Sequence, residues 1–485
     1  MLETLAAEYI AASFSVLEAE NAIPTSKMHR HLQAHLDFDG SAIEAMPEFA
    51  ALAQAVIKTG PEGLPASDTN PGPEHTLRLL LFSLLELCVH RCADVDDYDP
   101  ASTEVSAVIT EFCDVVGGSS YNLVVARVVS HLVPATGTEV DIAGITLVAE
   151  TPTQDLRRCI VAAIPDADHA WKRRGPMLDR PPHSLLVVRD PVEGVGYHGS
   201  WNLEGVLDRL QLAVCLLTGA NVQSVYQVSG VSSRISARPA RVEFLTRDEE
   251  VPLVRRVARL DETHVPVLAE LSALIDNVRS ENGQEIWLSS FGEALTKFAR
   301  LDDTSSHFDQ IVQLSTALEG VILGANEGEG LTLRLCTRAT ALLAYDDEPA
   351  AELFEDLKRL YSFRSTIVHG GEMTTKQLRK DLRAMRCVPD ESSGPGLLPR
   401  VGFAVDRLRD IVRRAILARL CLSSGDTPLW SIFSNEAPKL DIVLCDDSNR
   451  AQWRSHWRDV LASIGAETAG HRAAAPVHSL SDDDM

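Results

Sequence analysis

No apolar run in this chain reaches the ~18 uncharged residues that a membrane-spanning helix needs, so no membrane span is expected. The first residues, Met1-Leu-Glu-Thr-Leu-Ala-Ala-Glu8, are acidic, which excludes the basic-then-apolar signature of a secretory signal. There is no Gly-x-x-x-x-Gly-Lys phosphate loop, no Gly-x-Ser-x-Gly elbow and no Cys-x-x-Cys pair. Nucleotide hydrolysis on a phosphate loop, α/β-hydrolase chemistry and paired-thiol redox chemistry therefore lose their usual sequence supports. Nine cysteines, an odd number scattered singly through apolar stretches, read as reduced core thiols in a cytoplasmic protein. No internal repeat is present.

What is present is an ordinary globular composition, 45% hydrophobic and 24% charged over 485 residues, long enough for two or three domains. The first 58 residues read as helices with an Ala-rich face. Within them His31 and His35 stand four apart, but no Glu adjoins the first and no third ligand follows at a telling spacing, so a metalloprotease reading fails. The segment 59–73, rich in Gly and Pro, reads as a loop. The apolar run from His75 to Cys92 reads as a helix, and Cys88, His90 and Cys92 point in different directions on it. From about Leu123 the character changes. Glu139 to Ala149 alternates around a Gly turn, and Ser184–Arg189, Val222–Val228 and Ala240–Phe244 also read as strands. Arg157–Ile164 and Val206–Thr218 read as helices. Gly194-Val-Gly-Tyr-His-Gly199 is Gly-rich, yet no helix opens directly after it, so a plain loop is the better reading. Residues 250–300 are helical again, with Trp287 and Phe291 expected inside.

The stretch around which the chain is organised is Leu360-Tyr-Ser-Phe-Arg-Ser-Thr-Ile-Val-His-Gly-Gly371. It closes an amphipathic pattern that starts near Pro349, with Asp346 and Asp347 expected to supply an N-cap and first-turn charge, Pro349 in the first turn and Gly370-Gly371 as the stop. Arg364 and His369 lie five apart, hence roughly 140° apart around a regular helix. An imidazole near neutral pKa can move protons to and from a 2′-hydroxyl or a leaving oxygen, and a guanidinium can clamp a phosphate by two parallel hydrogen bonds. The pair suits phosphodiester cleavage in RNA with neither metal nor cofactor. By spacing alone, a surface Arg beside a helix-terminal His is the competing reading.

Three segments add to it: Phe308 to Leu323 with Leu318-Glu319, Leu331 to Leu343 with Arg338-Ala339, and Leu360 to Gly370 with its Tyr-x-x-Arg-Ser-x-x-Val-His-Gly end. In order and spacing, residues 308–422 resemble the HEPN superfamily, and within it the ApeA-like branch. The resemblance implies an all-helical domain that dimerises and, in many members, cleaves RNA without metal. It implies catalytic roles for Arg364 and His369, with Ser365 as the accompanying polar residue and Glu319 as an assisting carboxylate. Other members are inactive dimerisation or antitoxin-binding modules.

A net charge of −24 opposes a generic nucleic-acid binder. Between Arg300 and Gly425, however, 17 Lys and Arg face 18 Asp and Glu, so nearly the whole acidic excess lies elsewhere. Two basic runs flank the Arg/His stretch. Lys376, Arg379, Lys380, Arg383 and Arg386 form one, and Arg400, Arg407, Arg409, Arg413, Arg414 and Arg419 the other. Lys376, Arg379, Lys380, Arg383, Arg413 and Arg414 are the expected RNA contacts, with solvated helix faces as the alternative.

The fold expected is α+β, a mixed N-terminal region followed by an all-α, HEPN-like helical bundle. Its parts would be a helical region 1–122, an α+β sensor-like region 123–300, the helical domain 301–425, an extension 426–464 containing a strand at Leu440–Cys445, and a disordered tail 465–485. The expected protein is a cytoplasmic homodimer, toxin-like or antiviral, that cleaves RNA (transfer RNA among the candidates). Its trigger, of phage or regulatory origin, would be received by the N-terminal region. The rival is a non-catalytic dimer platform in which Arg364 and His369 are sealed within one subunit, tied to a neighbour such as Glu319.

Overall fold

A computed structural model describes residues 1–19, 40–59, 73–95, 99–118, 121–149, 156–165, 167, 183–192, 201–233, 240–245, 256–279, 289–301, 306–323, 330–344, 348–371, 374–389, 396–425, 427–432 and 437–473. His31 and His35, most of the 59–73 loop, Gly194–Gly199, Trp287, and Asp346 and Asp347 lie outside them. Among the described residues no helix is long and apolar enough to cross a membrane.

Among the described residues five helices come first: α1 (Leu2–Ala19), α2 (Ser41–Glu44), α3 (Pro47–Thr59), α4 (Pro73–Val95) and α5 (Thr103–Val116). They bury an interior of their own around Tyr9, Ile10, Phe14, Leu52, Leu80, Leu84, Cys88, Cys92 and Phe112. The Tyr9 hydroxyl donates to the Leu81 carbonyl at 3.2 Å, so its polar end is satisfied inside.

The sheet follows, a mixed-length antiparallel array in the order β3-β4-β5-β1-β6-β7. Its members are β1 (Tyr121–Ser130), β3 (Glu139–Ile142), β4 (Ile145–Ala149), β5 (His183–Val192), β6 (Gln223–Val231) and β7 (Arg241–Phe244). A short parallel pair, β2 (Leu132–Pro134) with β8 (Ala258–Leu260), stands beside it. The β3–β4 hairpin turns on Ala143 and Gly144, both at positive φ (52° and 85°), the geometry whose twist matches a two-residue hairpin. β1, which the sequence alone does not single out, is the central strand and is buried along nearly its whole length. Both faces of the sheet are covered, which is why it reads as continuous Val rather than as alternation. Val124, Ala126 and Val128 face Leu156 and Ile160 of α6 (Leu156–Ala163), while Leu123, Val125 and Val129 face α7 (Trp201–Thr218).

The second face of the sheet merges without a break into the C-terminal helices. These are α8 (His264–Arg279), α9 (Ser290–Ala299), α10 (His307–Ile322), α11 (Leu331–Leu343), α12 (Ala350–Val368), α13 (Thr375–Arg383), α14 (Leu397–Leu422), α15 (Ala437–Cys445) and α16 (Asp447–Ser463), then a 3-10 turn at Glu467–Gly470. One apolar interior runs from Leu123 to Ala469. Tyr121 packs against both this interior and that of the N-terminal helices.

α14 is the axis of this interior, and it overturns the solvated-face reading of its arginines. Arg400, Arg407, Arg409, Arg413, Arg414 and Arg419 are all buried. Arg407 pairs with Glu348 and, at 3.0 Å, with Asp356. Arg414 reaches Glu348 at 2.7 Å and Asp410 at 3.2 Å. Arg413 binds Asp410 at 2.8 Å together with the carbonyls of Leu216, Ala469 and His471. Buried charges persist only when paired and hydrogen-bonded in this way. Burial pushes the Glu348 carboxyl up, but Arg414 and Arg407 outweigh it and hold the group below its ordinary value.

Two further expectations are corrected. Leu440–Cys445 is helix α15, because Leu440, Val443 and Leu444 form one apolar face at helical spacing while Ile442 points outward. Residues 465–473 are ordered: Ala466 and Ala469 are buried, and the carbonyls of Ala469 and His471 accept from Arg413. Residues 474–485 lie outside the described part.

Candidate functional site

The helix that carries Arg364 and His369 is α12. Leu353, Leu357, Leu360, Tyr361 and Phe363 are its buried side. Pro349 caps its start with extended ψ, as a residue without an N–H can do at no cost in hydrogen bonds. At the other end Gly370 takes φ +65° and the Gly371 N–H bonds back to the Thr366 carbonyl at 2.8 Å, a left-handed stop that a Cβ would strain. His369 is the last residue before that stop, and its N–H is held by the Ser365 carbonyl at 3.1 Å.

Glu319 comes from α10, the neighbouring helix. Gly320 beside it lies against α9, where a Cβ would meet the Ser290 carbonyl oxygen at 2.5 Å, so this helix pair needs the glycine to approach closely. One Glu319 oxygen, Oε1, accepts from the Tyr361 hydroxyl at 2.5 Å and faces Arg364 Nη2 at 3.4 Å. The Arg364 guanidinium also sits 5.5 Å from the Tyr361 ring centroid, within cation–π range. Burial, with Glu319 second, raises the Tyr361 phenol to about 12, so it stays a donor.

Arg364 is therefore tied but not sealed. Its side chain retains 23% exposure, Glu319 retains 22%, and Arg364 Nε is without a hydrogen-bond acceptor. His369 is exposed, and Ser365 half-buried. The predicted constellation divides accordingly: Glu319 and Arg364 meet, while His369 stands open at the helix end.

Beyond the stop begins α13, capped by the Thr374 hydroxyl accepting from Gln377 N at 3.2 Å. Leu378 and Leu382 are its buried side. At ~100° per residue, Lys376, Arg379, Lys380 and Arg383 fall within an arc of about 100° on the opposite side. All four are exposed. The segment after α13 is tied back to the start of α12 by Arg386, which donates to Glu352 at 2.8 Å. Arg413 and Arg414, expected as RNA contacts, are corrected. Both are buried in the α14 ion network, with their donors taken by carboxylates and carbonyls inside the protein.

In the sequence Tyr361 is an apolar position and the first residue of the Tyr-x-x-Arg-Ser pattern; its role in holding Glu319 follows from the spatial approach of α10, which spacing does not encode. Chemically, the arrangement offers an exposed imidazole, a guanidinium whose side chain is 23% exposed, and a four-cation helix face next in the chain. Searches against protein-family models, curated proteins and solved structures find no match to this chain.

Proposed function

We propose that this protein is a metal-independent endoribonuclease of the HEPN type, acting as a homodimer. His369 serves as acid and base, Arg364 clamps the scissile phosphate, and the α13 face of Lys376, Arg379, Lys380 and Arg383 holds the flanking RNA backbone. The observation that carries this is the exposed His369, set in the chain between a partly exposed Arg364 and the only described helix with a four-cation exposed face. Glu319 and Tyr361 fix the arginine, and Ser365 lies on the same turn as a further polar contact. Since five residues of helix leave Arg364 and His369 diverging, the second pair comes from the partner copy. Cleavage runs through attack of the 2′-hydroxyl and leaves a 2′,3′-cyclic phosphate. A toxin-like or antiviral role follows from such an activity.

The second reading, a non-catalytic dimer platform, is favoured by one contact: Arg364 already faces Glu319 within its own subunit.

The test is incubation of purified wild type and His369→Ala with total RNA, with and without a chelator. Wild type should cut in both conditions and yield cyclic-phosphate ends. The exposed His369→Ala variant should keep its circular dichroism and lose at least about a hundredfold in rate. Equal cutting by the variant removes the proposal.

A further inference from the structure

A cavity of about 530 Å³ lies where four chain segments meet, away from the Arg364–His369 end of α12. Leu217 and Thr218 come from the end of α7, Thr263, His264 and Val267 from the start of α8, and Arg413 from α14. Gly465, Thr468 and His471–Ala473 come from the ordered C-terminal segment. Its size is that of ligand sites rather than of packing defects.

The chemistry of the wall is one-sided. In a chain with 69 acidic against 45 basic residues, two arginines, two histidines and three threonines line this cavity, and among the described residues no carboxylate does. Arg413 gives the wall rigidity rather than a free hand, since Asp410 and three carbonyls take its donors. Arg472 differs: it is 31% exposed, and the Glu352 carboxylate lies 3.5 Å from its Nη1. Glu352 also has Arg386, so Arg472 can turn to a ligand without orphaning it. The His264 Nδ1 is engaged by Asp261 at 2.8 Å, which leaves Nε2 as the ring's other polar atom. The first turn of α8 adds the positive end of its helix dipole, and Leu217, Val267 and Ala473 supply an apolar patch.

We infer that this junction cavity binds a small phosphate-bearing organic molecule. Arg472 and His264 take the phosphate, and the Leu217–Val267–Ala473 patch takes the organic part. The position gives binding a consequence. α7 and α8 cover the sheet, whereas α14 runs through the C-terminal helices, so one ligand touches both at once. That is the input expected of a sensor region. The inference concerns binding and stands apart from the ribonuclease reading.

The experiment is calorimetric titration of the full chain with ADP and with pyrophosphate at fixed ionic strength, with sulfate as the control anion. Wild type should bind ADP saturably and more tightly than sulfate. Arg472→Ala should weaken binding by about tenfold. Val267→Trp, which fills the cavity from α8, should abolish it, with the thermal midpoint of each unliganded variant near that of wild type. Each variant serves as the control for the other's folding. Absence of saturable binding by either probe, sulfate binding as tightly as ADP, or both variants binding like wild type would overturn the inference. So would competition by a 5′-phosphorylated oligonucleotide, which would assign the cavity to an RNA end. RNA cleavage by the same proteins, measured separately, distinguishes loss of this site from loss of the catalytic one.

Discussion

Tyr361 and Glu319, on different helices, share a hydrogen bond of 2.5 Å, and the oxygen that accepts it is the one that faces Arg364. The tyrosine thus takes up part of the carboxylate's demand while its ring lies beside the guanidinium. Arg364 is oriented from two sides and still keeps a donor unsatisfied.

This arrangement predicts a graded effect of two conservative changes. Tyr361→Phe keeps the ring and frees Glu319 to hold Arg364 more tightly, so RNA cleavage should fall several-fold with little change in fold. Glu319→Gln should release the guanidinium and alter KM for RNA more than kcat. Steady-state kinetics on a short labelled RNA separate the two, and identical effects on both constants in both variants would refute an orienting role.

The α13 face makes a prediction about salt. If Lys376 and Lys380 each neutralise one RNA phosphate, replacing both by Ala should reduce the slope of log affinity against log salt by about 1.4 on single-stranded RNA. Filter binding of the cleavage-inactive His369→Ala protein across a range of salt concentrations measures it. An unchanged slope would put the RNA elsewhere.

The α14 ion network predicts stability rather than activity. Glu348→Gln removes the carboxylate shared by Arg407 and Arg414 and leaves two buried cations underpaired. Urea unfolding should show a loss of roughly 3–5 kcal/mol. A loss below about 1 kcal/mol would mean that water reaches these groups.

Acid should act through Asp410. Burial would raise this carboxyl, yet Arg413 and Arg414 outweigh it and hold it at about 2, against an ordinary 3.8. A group whose folded pKa lies below its unfolded one contributes stability that is complete above the unfolded value and vanishes as pH falls through the folded one. Unfolding free energy should therefore decline by ~2 kcal/mol from this group between about pH 4 and pH 2. Asp410→Asn should start lower and decline less steeply over that window.

How much of this was legible in the residues depends on the range of the forces involved. The β3–β4 hairpin could be read because alternation and a Gly turn are local, and α12 because its apolar face and glycine stop lie within 25 residues of one another, although its N-cap is Pro349, with no side-chain cap, rather than an aspartate. Leu440–Cys445 misled because Leu-Asp-Ile-Val-Leu-Cys satisfies a strand period over a few residues as well as a helical one. The α14 arginines misled for a deeper reason: an Arg-rich helix looks solvated until its counter-charges are known. For Arg407 and Arg414 these sit 51 and 66 positions upstream, at Asp356 and Glu348. Arg364 and His369 were visible as a pair; their unequal exposure was not, because it depends on where α10 lies.

The uninterrupted apolar interior from Leu123 to Ala469 governs how the protein can be dissected. A fragment beginning at residue 301 would present to water the surface that α9 and the sheet helices now cover, and it would clump or stay molten rather than serve as a free-standing nuclease. The N-terminal helices, with their separate interior, are the piece that can be trimmed away. Among the described residues, the sheet helices and the C-terminal helices therefore move as parts of one packed solid.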